Sequence, residues 1–154
     1  MFPWVRSNLP QEYANSEPAD DRQAAALCWR MGADGLEILL VTTRRTGRWT
    51  PPKGGLMADR TAAESAATEA WEEAGVKGEI SPEPLGVYKT LKLRKDDDWR
   101  KLTVAIFPLR VTGVKPDFPE KGQRESRWMT RKEAAAAVRE PALRRIIRDF
   151  RPPD

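Results

Sequence analysis

The sequence predicts an α/β domain. Two strand-like runs joined by a glycine-containing turn precede a capped amphipathic helix, and further β-rich runs then lead into two helices near the C-terminal end. Residues Met1–Asp21 hold three prolines and many polar side chains without periodicity, so residues 1–21 are expected to be a loosely ordered N-terminal extension. A single domain is expected over residues 22–150, since a chain of 154 residues that is 40% hydrophobic can bury a substantial core.

The strand signals begin at Gln23. Ala24 to Arg30 and Leu36 to Thr43 flank a turn over Met31 to Gly35, which reads as a hairpin. Arg44 to Lys53 (RRTGRWTPPK) is a basic loop, barred from a central strand because Pro51 and Pro52 lack backbone donors. A helix starts near Thr61, whose hydroxyl caps the first turn while Glu64 completes a capping box. On a helical wheel Ala63, Ala66, Ala67, Ala70 and Ala74 form one narrow stripe, with Trp71 at its margin and the glutamates Glu69, Glu72 and Glu73 away from it. Gly75 supplies a left-handed C-terminal cap.

Strands are expected next over Gly78 to Ser81, Leu85 to Leu93 and Leu102 to Val111, with Arg94 to Arg100 as a charged hairpin tip. Gly113 to Gly122 is a loop with two prolines, and Glu125 to Met129 is a short strand. Thr130 caps a helix over Arg131 to Val138, and Pro141 starts another that runs to about Phe150. Leu143, Ile146, Ile147 and Phe150 fall at core spacing there with arginines opposite, the pattern of a packing helix rather than a nucleic-acid patch.

Composition narrows the chemistry. Apolar runs fall far short of the ~20 residues a membrane helix needs, and no secretory signal is expected. The lone Cys28 excludes an internal disulfide and fits a reducing compartment, so a cytoplasmic location is expected. A net charge of +4, spread along the chain, favours acidic ligands, phosphates included, and does not separate a nucleotide from a nucleic acid or an inositol phosphate. Histidine is absent, which removes histidine-dependent triads, two-histidine metal motifs and imidazole acid–base chemistry.

Any catalysis must therefore run on carboxylates, metals, lysine, arginine or tyrosine. Glu69, Glu72 and Glu73 lie three and four residues apart in TAAESAATEAWEEAGV, on one side of the predicted helix and near its negative end. Such crowding of like charge asks for a divalent cation; the bland alternative is a solvated acidic face.

The segment from Gly54 to Val76 resembles the Nudix box of the Nudix hydrolases, a Gly, five residues, a Glu, seven residues, then Arg-Glu-apolar-any-Glu-Glu-any-Gly-apolar. Gly54 takes the first Gly, Glu69 the Glu after the usual Arg, Glu72 and Glu73 the pair, and Gly75 and Val76 the close. Two positions depart: Arg60 stands for the first Glu and Thr68 for the Arg that pairs with a box carboxylate. With the RWTPPKGG entry and the later ESRWMTRKEA, the layout from Gln23 to Phe150 looks like the diphosphoinositol-polyphosphate and diadenosine-polyphosphate phosphohydrolase branch.

That resemblance implies a Nudix-like α/β/α sandwich with a mixed β-sheet, and Mg²⁺- or Mn²⁺-dependent hydrolysis of phosphoanhydride bonds in a nucleoside polyphosphate or inositol pyrophosphate. Glu69, Glu72 and Glu73 would be catalytic and metal-ligating residues, with the Lys53 backbone carbonyl completing the shell. A further acid often comes from a distant loop, for which Glu120 and Glu125 are candidates. Arg48 and Lys53 rank first among phosphate-binding residues, with Gly54, Gly55, Arg44, Arg45 and Lys89 beside them; Lys92, Arg94 and Lys95 also belong to the presumed mouth. Trp49 and Tyr88 either stack on a base or pack internally. Two alternatives stand: a Nudix enzyme acting on nucleoside diphosphate derivatives or RNA 5′ ends, and a catalytically weak nucleotide- or polyphosphate-binding module, suggested by Arg60 and Thr68.

Overall fold

The computed structural model describes Leu9, Tyr13 and residues 21–153. The loosely ordered extension expected over residues 1–21 lies outside the described residues apart from Leu9, Tyr13 and Asp21. Of these, Tyr13 is buried in the core with Leu9 packed nearby, and Asp21 pairs with Arg100 at 2.5 Å.

Eight strands join in one mixed sheet. They are β1 (Arg22–Gly32), β2 (Gly35–Thr42), β3 (Trp49–Thr50), β4 (Lys53–Gly55), β5 (Val76–Ile80), β6 (Gly86–Leu93), β7 (Trp99–Val114) and β8 (Ser126–Thr130). β1 is central: it runs parallel to β7 on one side and antiparallel to β4 and then β2 on the other. Its near-continuous apolar run follows from burial on both faces. Ala24, Ala26 and Cys28 join the core under one helix, while Ala25, Leu27 and Trp29 join the core on the opposite face.

The hairpin is tighter than the five-residue turn expected over Met31 to Gly35. Strand pairing continues to Gly32 opposite Gly35, leaving Ala33 and Asp34 as the connection, and Gly35 has a φ of 114° that side chains rarely adopt. β7 also outruns the expected Leu102 to Val111, because it pairs with β1, β6 and β5 along different stretches. Within the basic loop, β3 and β4 are two short strands on either side of Pro51 and Pro52, and the Pro52 carbonyl accepts a hydrogen bond from Ala26 N–H.

Helix α1 (Ala62–Ala74) covers one face of the sheet. Thr61 and Glu64 form the capping box, and Gly75 closes the helix at φ 72°, where a Cβ would press against the Lys115 carbonyl. Ala63, Ala66, Ala70 and Ala74 are buried as expected, while Ala67 is half-buried. Glu73 departs from the wheel: it is 6% exposed and sits among the buried residues rather than away from the stripe. Partners from β4 and a distant loop, described below, make that burial tolerable.

Helices α2 (Arg131–Ala137) and α3 (Pro141–Asp149) cover the other face, giving helix, sheet and helix layers. Thr130 caps α2 through a second capping box, and Leu143 and Ile147 of α3 are fully buried. No described helix is long and apolar enough to cross a membrane.

Candidate active site

The last two turns of α1 present Glu69 and Glu73 toward β4. Four residues on a helix return to nearly the same face, whereas Glu72 stands about 100° from Glu73. Lys53 N–H donates to Glu73 Oε1 at 3.3 Å. The Glu69 carboxyl lies directly against Gly54, where any Cβ would collide with it. The conformational freedom of Gly54 is not at issue; its missing side chain is what admits Glu69.

The loop after β7 brings the third acid. Lys115 N–H donates to the Gly75 carbonyl at 2.9 Å and Glu120 N–H to the Glu72 carbonyl at 2.9 Å, tying this loop to the end of α1. Glu69, Glu73 and Glu120 thereby each place a carboxylate oxygen within 4.8 Å of the others. Glu125, the rival candidate, is exposed, and its N–H donates to Thr42 Oγ1. Glu72 lies outside this group of three, yet its charge adds to the repulsion on Glu69.

One cation is buried with them. Arg124, whose side chain is 10% exposed, reaches Glu73 at 3.3 Å and Glu120 at 3.4 Å and donates to the Thr42 carbonyl at 3.2 Å. It does not offset the cluster. Burial, reinforced by Glu73, Glu72 and Glu120, pushes Glu69 up to about 8. Burial likewise raises Glu73 to about 7, against the opposing pull of Arg124 and Lys53. Glu69, Glu73 and Glu120 bring hard oxygen donors to one point, a set that could hold a divalent cation.

The acids open onto a cleft of about 530 Å³. Arg44, Arg45, Arg48, Lys53, Gly54 and Gly55 line it, joined by Lys92 and Lys95. Arg48 also braces the cleft, since it donates to the Leu91 carbonyl at 2.7 Å. Lys53 is held at Gln23 Oε1, 2.9 Å away, and burial lowers its ammonium to about 8. Its recorded contact with the acids is through its backbone N–H. Lys89 corrects an expectation: it is exposed and does not line the cleft, because it alternates with Tyr88 and Thr90, which point inward along β6. Arg94 does not line it either. Trp49 lines the cleft with the Arg127 guanidinium 5.1 Å from its ring, and Tyr88 is a core residue.

The two departures from the box meet each other. Arg60 donates to the Thr68 hydroxyl, which in turn donates to the Glu64 carbonyl; Arg60 is exposed and Thr68 half-buried, and neither lines the cleft. Sequence reasoning missed Arg124, Gln23, Thr90, Arg139 and Glu140 as cleft residues. For Arg124 a faint signal existed, its spacing of four residues from Glu120 in EKGQR.

Residues 21–150 match the model of the NUDIX domain. Nudix hydrolase 12, mitochondrial, of Arabidopsis thaliana is 37% identical over 118 residues, covering 75% of this chain and 58% of the relative. Diphosphoinositol polyphosphate phosphohydrolase 3-alpha of Mus musculus is 31% identical over 99 residues, covering 64% of this chain and 56% of the relative. The chain thus spans less than two thirds of the length of these relatives. Among solved structures, the Ap4A hydrolase of C. elegans in a binary complex superposes with a TM-score of 0.58 at 18% identity, covering 82% of this chain and 92% of that one. A NUDIX hydrolase from Nitrosomonas europaea gives 0.60 at 20% identity, covering 84% and 86%. At such identities these likenesses show the fold, the α/β/α sandwich with its mixed sheet.

The expected cytoplasmic location is overturned. Four A. thaliana relatives, from 28% to 37% identical, are mitochondrial Nudix hydrolases, which points away from a plain cytoplasmic assignment. A helix that seats Glu69 over Gly54, a sheet held between helix layers and the match across residues 21–150 lead to one conclusion: the chain belongs to the Nudix family.

Proposed function

We propose that the chain is a metal-dependent pyrophosphohydrolase that cleaves a phosphoanhydride bond in a phosphorylated small molecule of the nucleoside polyphosphate or inositol pyrophosphate type. The observation that carries this reading is the convergence of Glu69, Glu73 and Glu120 within 4.8 Å at the edge of a cation-walled cleft. The carboxylates suit Mg²⁺ or Mn²⁺, both of which take oxygen ligands. When bound, such an ion supplies charge neutralisation at a diphosphate and acidifies water.

The protein's own groups do the rest. Glu69, Glu73 and Glu120 would hold the cation, with the Lys53 backbone carbonyl as the further donor that the family pattern implies, and Glu72 adds negative charge from the same helix end. Lys53 N–H and Arg124 fix the Glu73 carboxylate, and Gly54 leaves room for Glu69. Arg44, Arg45, Lys92 and Lys95 draw the phosphates into the cleft, where charge-assisted hydrogen bonds orient them. The relatives named as diphosphoinositol polyphosphate phosphohydrolases and the Ap4A hydrolase neighbour support the substrate class.

A panel tests this reading. The chain is incubated with Mg²⁺ or Mn²⁺ and dinucleoside polyphosphates, inositol pyrophosphates, ADP-ribose, deoxynucleoside triphosphates and triphosphorylated RNA, and kcat/KM is measured for each. Metal-dependent turnover highest on a polyphosphate small molecule is expected. Tight binding without turnover on any of them would instead make the chain a polyphosphate-binding module.

A further inference from the structure

Apart from Glu69, Glu73 and Glu120, Glu140 is the remaining acidic residue among the described residues that line this cation-rich cleft. It stands at the N-cap of α3 yet makes no side-chain bond to that helix. Its Oε2 instead accepts the hydroxyl of Thr90, itself buried on β6, and among the described residues Glu140 forms no ion pair. The carboxylate of this cleft residue is therefore held through Oε2 by a neutral donor, a hydroxyl, rather than by a cation. It arrives from the helix layer opposite α1, and the Lys53 ammonium feels the charge of both Glu73 and Glu140.

An ionised carboxylate accepts hydrogen bonds and donates none. Phosphate oxygens also only accept and carry negative charge, so a phosphate placed against Glu140 meets repulsion, whereas an amine, amide or hydroxyl finds a partner. Trp49 lines the same cleft and offers an aromatic surface, which suits a planar base.

Building on the phosphoanhydride reading, we infer that Glu140, pinned by Thr90, is a specificity-determining residue that accepts hydrogen bonds from the nucleoside of a nucleoside polyphosphate and rejects an inositol pyrophosphate. An inositol ring bearing phosphate at every position has no free hydroxyl to offer. A nucleoside presents ribose hydroxyls and base N–H groups next to its phosphate chain.

The test separates binding from turnover. A methylene-bridged, non-hydrolysable adenosine polyphosphate and inositol hexakisphosphate are each titrated by calorimetry with Mg²⁺ into wild-type chain and into Glu140→Gln, with thermal unfolding as the check on folding. Wild type is expected to bind the adenosine ligand at least about tenfold more tightly; Glu140→Gln narrows or reverses that preference, mainly by gaining affinity for inositol hexakisphosphate. Should Glu140→Gln unfold, Thr90→Val, which removes the pinning hydroxyl, is expected to narrow the preference. Wild type preferring inositol hexakisphosphate, binding neither ligand, or showing a preference that neither substitution alters overturns the inference. A Glu140-dependent preference for the adenosine ligand without hydrolysis of any phosphoanhydride would leave this inference standing and overturn the hydrolase reading.

Discussion

Replacing Arg124 with Met tests how the acidic cluster is held in the absence of a cation. The side chain is 10% exposed and bonds Glu73, itself 6% exposed, along with Glu120 and the Thr42 carbonyl. Removing one partner of a buried ion pair costs ~3–5 kcal/mol. The contacts at 3.3 and 3.4 Å are longer than the strongest charge-assisted bonds, and Glu120 is 25% exposed, so the low end of that range applies, about 3 kcal/mol. The loss depends on pH with a definite sign. Arg124 pulls the Glu73 value down against burial, to about 7, so its contribution is present when Glu73 is ionised and lost as pH falls through that value. Thermal unfolding in chelator should then show Arg124→Met about 5–10 °C below wild type at pH 9, with the gap mostly closed at pH 5. A gap below about 2 °C at pH 9, or one equally large at pH 5, would refute the ion-pair reasoning.

Gly54→Ala should drive Glu69 out of place, because the new Cβ collides with its carboxyl, and calorimetry should find Mn²⁺ bound at least about tenfold more weakly while the fold persists; unchanged affinity would remove Gly54 from the account. Cation-free wild type should lose stability as pH rises from about 5 to about 8, since Glu69 and Glu73 are raised above their ordinary 4.5 and the folded state favours their neutral forms, and added Mn²⁺ should offset the loss; a thermal midpoint that climbs across this window without metal would contradict the cited shifts. Glu120→Gln should lower metal-dependent kcat at least about tenfold whereas exposed Glu125→Gln leaves it near wild type, and equal effects would dissolve the distinction between the two acids. Thr61→Ala removes the first α1 cap and should cost about 1 kcal/mol in urea unfolding; no change in midpoint would mean the capping box contributes little here.

Helix α1 was legible because every local signal agrees: Thr61 and Glu64 start it, alanines recur on its buried face and Gly75 stops it. Glu69 and Glu73 could be placed for the same reason. The burial of Glu73 was not legible, since a wheel sends a carboxylate to solvent while Lys53 N–H and Arg124, distant in sequence, stabilise it inside. Glu120 could only be paired with Glu125 as candidates, because the loop that carries them has no periodicity; its bonds to the Gly75 and Glu72 carbonyls decide between them. Lys89 failed on parity, for β6 turns Tyr88 and Thr90 inward and leaves the lysine between them outside. Glu140 gave no sign because its neighbours Thr90 and Lys53 meet it only once α3 packs beside β6.

Whether Glu69, Glu73 and Glu120 together hold a divalent cation is read from a calorimetric titration of Mn²⁺ at pH 8 into wild type, Glu69→Gln and Glu73→Gln. Wild type should bind Mn²⁺ with release of protons, as the raised carboxyl groups ionise, and each substitution should weaken binding at least about tenfold. Binding of equal strength in all three proteins would contradict the account.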